Sequence, residues 1–322
     1  MSNKYQMIDV RVTAVEQVTP LIKRFSLCAL DGSALPSFTG GSHVIVQMHD
    51  GDKRYSNAYS LMSSPRDTSS YQIGVRREEQ SKGGSAFMHD KVEVGSQLTI
   101  AAPNNLFGLS ETAAQHVLIA GGIGITPFLS QLHELHEQAA DYQLHYAFRA
   151  PEHGAFADEL GSGPHAERTR FYIDSLQQRL DLDALIAGLD AAAHLYVCGP
   201  KPLIDAVIAT AKAHGIADER VHWEQFAVAP AEGAAFTLVL ARSGTELKVE
   251  EGMSILQAIE KANAAEVECL CREGVCGTCE TTILEGEVAH RDQYLSDEEK
   301  ALQKTLMVCV SRARTPRLVL DL

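Results

Sequence analysis

Three absences narrow the class of this chain before any motif is considered. No apolar run approaches the roughly 18 residues that a membrane-spanning helix needs, so no membrane association is expected. The N-terminal stretch MSNKYQMIDV has no apolar segment of the secretory type, which favours a cytoplasmic protein. Basic residues are few: 28 Lys and Arg stand against 42 Asp and Glu, a formal net charge of −14. Nucleic-acid binding needs clustered positive charge, so nucleic acid is not expected as a partner.

The remaining composition is that of an ordinary globular protein, with 45% hydrophobic and 22% charged residues. A chain of 322 residues can form two or three domains, and it contains neither repeats nor low-complexity tracts. Its seven cysteines, without a secretory signal, favour reduced thiols and metal ligation over disulfides.

Residues 1–108 alternate apolar and polar positions, with turn residues between the alternating segments. The predicted strands are Val10–Val15, His43–Met48, Tyr71–Arg76 and Gln97–Ala101. Many short strands with little helix predict a small antiparallel β-barrel.

Residues 109–226 change to alternating strands and helices, which predicts a doubly wound α/β domain with a parallel sheet. The predicted strands are His116–Ala120, Tyr142–Phe148, Phe171–Asp174 and His194–Cys198, and the predicted helices are Phe128–Gln138, Leu182–Leu189 and Pro202–His214. Residues 227–235, rich in Ala, Pro and Gly, are typical of a linker. In residues 236–322, the predicted elements are strands at Phe236–Ala241, Glu246–Val249, Thr281–Leu284 and Arg317–Leu320, and a helix at Ser254–Asn263.

Four cysteines in the last block have the spacing C-x4-C-x2-C followed by a distant fourth cysteine. They are Cys271, Cys276, Cys279 and Cys309. This is the plant-type ferredoxin pattern of a [2Fe–2S] cluster, whose soft irons suit thiolate ligands. A zinc site is the alternative, although zinc ligands usually come as two short cysteine pairs. Cys269 is predicted to be a neighbouring non-ligand thiol, because a set in which it replaces Cys271 would have the spacing C-x6-C-x2-C.

Glycines after the first parallel strand form a candidate phosphate loop, AGGIGITP. Its candidate cofactor-binding residues are Gly121, Gly122, Gly124 and Thr126. The loop joins a strand to a helix, whose free N–H groups attract an anion, although it departs from the G-x-G-x-x-G fingerprint. Cys198, Gly199 and Pro200 end the last predicted strand, where open parallel sheets bind ligands; a buried cysteine before a turn is the alternative.

Two stretches of the first block could hold a flavin. In the first, the ring of Tyr59 could cover an isoalloxazine face and the Ser60 hydroxyl could bond its reactive nitrogen. In the second, Gly83, Gly84 and Ser85 lead into a predicted short helix, a shape that suits a phosphate. Surface turns with a core tyrosine are the alternative for each.

Together these motifs and their order resemble the phthalate dioxygenase reductase family over essentially the whole chain. The most specific segments are CREGVCGTC with Cys309, AGGIGITP, YVCGP, and His290-Arg291-Asp292 with Tyr294-Leu295-Ser296. The resemblance implies a flavin β-barrel, a nicotinamide domain and a β-grasp plant-type ferredoxin domain. The family's flavin motif is Arg-x-Tyr-Ser, and this chain has Asn57 at the arginine position. Both Asn57 and Arg54 therefore stay candidates for the flavin phosphate.

For catalysis, the resemblance implies that Ser60 contacts the flavin, while Cys198 and Glu224 shape the nicotinamide pocket and Phe226 closes the domain. It also implies FMN rather than FAD, together with a [2Fe–2S] cluster and NADH. No Arg or Lys pair is clearly placed for the extra phosphate of NADPH, although Arg149, Arg168 and Arg170 weaken that inference.

The function implied is a reductase that passes single electrons to a separate, terminal Rieske-type oxygenase component, with the reductase itself a monomer. The stretch NAYSLMSSP is similar to reductases of carnitine monooxygenase-like systems, which favours carnitine or a related quaternary amine as the oxygenase substrate; an aromatic acid is the alternative. The other functional hypotheses are a self-sufficient flavin oxidoreductase and a general ferredoxin-type electron-transfer reductase.

Overall fold

The computed structural model describes residues 6–51, 53–78, 83–226 and 233–322. The chain divides into two compact units, one reaching to Phe226 and the other made mainly of the chain from Ala227 onward. Residues 227–232 of the predicted linker lie outside the described residues, and residues 233–235 form neither helix nor strand. None of the helices in the described part has the length and apolar character that a membrane crossing needs.

The first part of the larger unit is a six-stranded antiparallel sheet in the order β4-β3-β6-β1-β2-β5. Its elements are β1 (Met7–Thr19), β2 (Ile22–Ala29), β3 (His43–Asp50), β4 (Lys53–Ser60), β5 (Tyr71–Arg76), α1 (Gly84–Asp90) and β6 (Gln97–Ala101). An antiparallel bridge between Leu61 and Ile73 brings the two edge strands together, so the sheet curls into a barrel. Buried side chains such as Val10, Phe25 and Val46 fill its interior. The curled antiparallel sheet confirms the predicted fold class of this domain.

The second part is a five-stranded parallel sheet in the order β11-β10-β7-β8-β9. Its elements are β7 (Gln115–Gly121), α2 (Thr126–Glu137), β8 (Tyr142–Phe148), α3 (Ala157–Ser162), β9 (Thr169–Ile173), α4 (Leu182–Ala187), β10 (Ala193–Cys198), α5 (Lys201–Ala213) and β11 (Val221–Glu224). Apolar clusters cover both faces of the sheet, as a doubly wound fold requires. From β7 the chain builds the sheet outward first on one side and then on the other. The strand order therefore reverses between β7 and β10, and a crevice is expected at their carboxyl ends.

The smaller unit contains a mixed sheet in the order β13-β12-β18-β14-β16, with a separate two-stranded pair of β15 and β17. Its elements are β12 (Phe236–Leu240), β13 (Thr245–Val249), α6 (Ile255–Ala262), β14 (Glu280–Glu285), β15 (Val288–Ala289), α7 (Asp297–Leu302), β16 (Thr305–Met307), β17 (Arg312–Ala313) and β18 (Arg317–Leu320). Ser254 and Gln257 form a capping box that starts α6, and the apolar face of this helix packs on the sheet. The helix-on-sheet arrangement agrees with the predicted β-grasp domain.

Candidate functional site

The glycine loop after β7 and the turn after β10 pack backbone against backbone in the crevice of the parallel sheet. A Cβ atom on Gly124 would lie 2.2 Å from the Cys198 carbonyl oxygen, and one on Gly199 would lie 3.0 Å from the Gly121 Cα. Gly122 has a φ of +55°, which disfavours other residues. The loop then leads into α2 at Thr126. The structure thus brings both predicted nucleotide motifs together at the strand-order reversal.

Cys198 and Glu224 occupy paired register positions on the neighbouring parallel strands β10 and β11. Both are buried, and the Glu224 Oε2 atom has no hydrogen-bond partner. Burial raises the pKa of Glu224 to about 8, and burial followed by the charge of Glu224 raises the pKa of the Cys198 thiol. Both groups are therefore mainly neutral at pH 7, and Glu224 can donate a proton. Phe226, two residues further on, is 39% exposed.

On the barrel side, β4 separates the two candidates for the flavin phosphate. Alternate residues of a strand point to opposite faces, so Asn57 shares a face with Tyr59, whereas Arg54 shares one with Ser60. Arg54 is exposed and Asn57 is half-buried. Ser60 is buried with its Oγ unpartnered, which fits a residue awaiting a polar ligand atom.

The Gly83–Ser85 element lies against β4 through Tyr55, which follows the flavin-phosphate candidate Arg54 in the chain. Gly83 has a φ of +115°, and a Cβ there would lie 2.3 Å from the Tyr55 ring. The Ser85 hydroxyl accepts a hydrogen bond of 3.2 Å from the Glu78 N–H. The beginning of α1 is thus packed on the same strand that carries Tyr59.

A glycine of β5 joins the barrel to the nucleotide loop. A Cβ on Gly74 would lie 2.9 Å from the Thr126 Cγ2 atom and 3.0 Å from the Met62 sulfur. Because Met62 follows Ser60 by two residues, the end of β4 lies near the start of α2. Apart from Asn57, which groups with the smaller unit, the flavin and nucleotide candidates therefore lie in neighbouring parts of the larger unit. The unpartnered Ser60 hydroxyl fits a flavin, and the glycine cradle fits a dinucleotide.

Five thiols converge in the smaller unit. The Cys271 thiol contacts those of Cys276 and Cys309, and the Cys279 thiol contacts those of Cys309 and Cys269. The Sγ atoms of Cys269, Cys279 and Cys309 all lie within 4.8 Å of one another. The backbone N–H of Glu273 donates to the Cys271 sulfur at 3.3 Å. Converging thiols with an N–H directed at sulfur fit a [2Fe–2S] cluster. The structure places Cys269, predicted to be a bystander, among them.

The segment after the cysteine loop packs on the loop's two glycines. Gly274 has a φ of +73°, and a Cβ there would lie 3.0 Å from the Asp292 Cα; on Gly277, with a φ of +70°, it would lie 2.2 Å from the Tyr294 ring. The Gln293 N–H donates to the Gly274 carbonyl at 3.1 Å. The loop therefore needs glycine for its backbone conformation and also for the close approach of Tyr294.

Arg272 fixes the beginning of the same loop. It is a non-glycine residue with a φ of +58°, and its guanidinium forms a two-pronged ion pair with Glu260 on α6, with 3.0 Å between Nη1 and Oε2. This bidentate pair holds a strained residue between two thiols. Sequence patterns could not identify Glu260, because its role depends on a contact between α6 and the loop.

Two family models match the chain. The model described as a 2Fe-2S iron-sulfur cluster binding domain matches residues 238–314, and the oxidoreductase NAD-binding domain matches residues 118–208. These ranges contain the thiol loop and both nucleotide motifs.

Similar whole chains include the carnitine monooxygenase reductase subunit of Escherichia coli, 59% identical and covering 99% of both chains. The heme-dependent oxidative N-demethylase beta subunit of Ectopseudomonas mendocina is 45% identical over 98% of this chain and 99% of its own. Among solved structures, phthalate dioxygenase reductase is 33% identical, with a TM-score of 0.77 and 98% of both chains covered. An intact self-sufficient cytochrome P450 monooxygenase has a TM-score of 0.80 and 34% identity over 98% of this chain; this chain spans 41% of its length.

The fold and site define an oxidoreductase with an NAD-binding domain and a [2Fe–2S] domain, and the reductase fold implies a flavin. The chain belongs to the phthalate dioxygenase reductase family, which confirms the resemblance found in the sequence. It is a reductase component that passes electrons to an oxygenase.

Proposed function

We propose that this chain takes hydride from NADH, uses FMN and delivers single electrons to a separate Rieske-type oxygenase that acts on carnitine or a related quaternary amine. The observation that carries the proposal is the occurrence, in one chain, of a glycine-lined nucleotide crevice and a converging set of thiols. Nicotinamide supplies electrons in pairs and an iron–sulfur cluster accepts them singly, and a bound flavin would supply the conversion between the two.

The residues named above would divide the work at the flavin. The Ser60 hydroxyl would hold the flavin's reactive edge, since its Oγ is buried without a partner. Cys198 and protonated Glu224 would line the nicotinamide pocket as buried, neutral groups. The Gly121–Gly124 loop would place backbone N–H groups against the dinucleotide phosphates. These roles are part of the proposal, as is the division into a flavin domain (residues 1–108), a nucleotide domain (109–226), a linker (227–235) and a ferredoxin domain (236–322).

NADH is favoured over NADPH because Arg168 and Arg170, two of the three arginines that could hold the extra phosphate of NADPH, already have partners. Arg168 stacks on the Tyr142 ring at 4.7 Å and pairs with Asp141, and Arg170 donates to the carbonyls of Glu167 and Thr169. FMN is favoured because Gly83–Ser85 is the one phosphate-shaped element that the barrel sequence offers. Mass spectrometry of the released flavin and kinetics with each nucleotide test these choices, and FAD or an NADPH preference would contradict them.

A separate oxygenase partner is proposed because this chain's sequence lacks the known patterns for activating oxygen. Its sequence contains neither the C-x-H and C-x-x-H pair of a Rieske centre nor a 2-His-1-carboxylate signature, so oxygen would be activated on another polypeptide. The similarity to carnitine monooxygenase reductase subunits supports the quaternary-amine choice. The seven free thiols support a reducing compartment such as the cytoplasm.

Reconstitution tests the proposal. The purified chain is mixed with NADH, oxygen and a Rieske-type carnitine oxygenase, with and without carnitine. We expect coupled NADH and oxygen consumption only in the complete mixture. Product formation by the chain alone would establish a self-sufficient oxidoreductase instead. Coupling only to a heme-containing demethylase component would replace the Rieske partner by a heme partner, the choice that the N-demethylase relative would favour.

A further inference from the structure

Cys269 lies beside a specific pair of the predicted cluster ligands. Its Sγ atom is within 4.8 Å of those of Cys279 and Cys309, and its thiol is within hydrogen-bonding reach of both. Cys276 does not belong to this group. The spacing pattern C-x4-C-x2-C does not predict this arrangement, because it leaves Cys269 outside the ligand set.

The contacts among the four predicted ligand thiols form a row: Cys276 contacts Cys271, Cys271 contacts Cys309, and Cys309 contacts Cys279. The two ends of this row are the pair Cys271–Cys276 and the pair Cys279–Cys309. A four-cysteine [2Fe–2S] cluster has two irons with two thiolates each, so each pair would hold one iron. Cys269 would thus lie beside the iron held by Cys279 and Cys309, and not beside Cys276 on the other.

We propose that Cys269 is a reserve ligand for the iron held by Cys279 and Cys309. This inference rests on the proposed ligand set. With a cluster bound, Cys269 would take the place of Cys279 as ligand: the Fe–S bond to Cys279 would break, one to Cys269 would form, and the proton of the Cys269 thiol would pass to the released Cys279 thiolate. Thiolate replaces thiolate, so the charge of the cluster and its oxidation state do not change. The same exchange is available at Cys309.

The backbone around Cys269 permits this movement. Residues 264–269 form neither helix nor strand, so no ladder of hydrogen bonds fixes them. Cys269 is half-buried, whereas Cys279 and Cys309 are buried. A half-buried thiol on an irregular segment can shift by the small distance that ligation requires without disrupting the sheet.

Single and double cysteine variants test the proposal, with anaerobic reconstitution followed by iron and sulfide analysis and EPR of the reduced protein. We expect Cys279→Ala and Cys309→Ala to retain a [2Fe–2S] cluster with a shifted EPR spectrum. The double variants Cys269→Ala/Cys279→Ala and Cys269→Ala/Cys309→Ala should lose it. Cys276→Ala is the matched control, because it removes a ligand with no reserve beside it, and it should lose the cluster. Cys269→Ala alone should keep the wild-type spectrum.

Alkylation in the native holoprotein gives a second readout that does not depend on activity. Cys269 should react with iodoacetamide in the wild type and become protected in Cys279→Ala. Flavin content shows whether each variant has a folded flavin domain. If both single variants contain flavin but no cluster, Cys269 is not a reserve ligand. If the wild type itself held no [2Fe–2S] cluster, the proposed function would fail before this inference is tested.

Discussion

Cys198 and Glu224 stand side by side at the carboxyl ends of two parallel strands, and the glutamic acid is protonated at neutral pH. Burial raises the pKa of Glu224 to about 8, so the folded protein keeps a proton that the unfolded chain releases from about pH 4.5 upward. The unfolding free energy contributed by this group therefore falls as pH rises from 4.5 through about 8. The buried Glu224 therefore keeps the site beside Cys198 neutral, and the protein loses some stability at neutral pH as a result.

Replacing Glu224 with glutamine should remove one limb of the pH profile. In the wild type, the rate of flavin reduction by NADH should fall as pH rises through about 8, because Glu224 ionises. Glu224→Gln stays neutral at every pH, so its profile should be flat in this range. Stopped-flow flavin absorbance measures both profiles, and thermal unfolding should show Glu224→Gln to be the more stable protein at pH 8. An unchanged limb in the variant would assign the titration to another group.

Removing the Ser60 hydroxyl should slow hydride acceptance more than it weakens folding. The buried Oγ has no protein partner, so Ser60→Ala breaks no internal hydrogen bond. Loss of one hydrogen bond to the flavin should reduce the rate by about 10-fold. Ser63→Ala is the matched control, because the Ser63 hydroxyl accepts a structural hydrogen bond from Gln72. We expect that control to lower the melting temperature with little effect on the rate, and the reverse pattern would remove Ser60 from the flavin site.

Gly277→Ala should abolish cluster binding by steric conflict. Its new Cβ would lie 2.2 Å from the Tyr294 ring at a φ of +70°. Gly252→Ala is the control: Gly252 has nearly the same φ, +73°, with nothing within 4 Å, so it should cost only backbone strain of about 1–2 kcal/mol. The double variant Gly277→Ala/Tyr294→Ala relieves the contact and should recover part of the cluster. Visible absorbance after reconstitution reports the result, and failure to recover would show that backbone conformation alone requires the glycine.

Acid should destabilise the nucleotide domain through buried histidines. Burial lowers the pKa of His145 and of His165 to about 4, and each Nδ1 lies within 2.8 Å of a tyrosine hydroxyl. Because the folded values lie below the unfolded value near 6.5, the unfolded chain binds more protons between these limits. Stability should therefore fall as pH drops from about 6.5 to 4. His145→Gln should flatten this dependence of the melting temperature, whereas the exposed His153→Gln should not.

Electron delivery to the oxygenase should weaken with salt. The chain has a net charge of −14, which favours docking on a basic surface, and such attraction is screened over about 10 Å at 0.1 M salt. We expect oxygenase reduction to slow several-fold between about 0.05 and 0.5 M NaCl. Reduction of a small neutral one-electron dye should change little over the same range. Equal salt sensitivity of both reactions would place the effect inside the reductase.

Local sequence patterns predicted those helices and strands whose own residues form a clear apolar pattern. All four strands and all three helices predicted for the nucleotide domain are present within a few residues of their expected bounds, because parallel strands form continuous apolar runs. The prediction did not include β2 (Ile22–Ala29), whose polar face is half-buried only through pairing with β1 and β5. It also omitted α7, which buries none of its residues and depends on the Ser296 capping box.

The candidate site also contains residues that the sequence indicated and residues that only the folded structure reveals. Sequence spacing indicated the thiol loop and both glycine motifs, because ligands and phosphates require particular residues at short separations. It did not indicate Tyr294 over Gly277 or Glu260 beside Arg272, since each contact joins segments more than ten residues apart. The position of Cys269 was likewise set by the folded loop and not by the spacing.

The central place of β18 has a consequence for synthesis. Residues 317–320 form the middle strand of the smaller unit's sheet, between β12 and β14, and pair in parallel with β12 some 80 residues earlier. This sheet cannot close until that strand has emerged from the ribosome, whereas the barrel and nucleotide domain need only earlier residues. Cluster loading would therefore wait for that strand, at a stage when the first two domains can already be folded. A shortage of iron or sulfide should then leave a protein that still reacts with NADH but cannot pass electrons on.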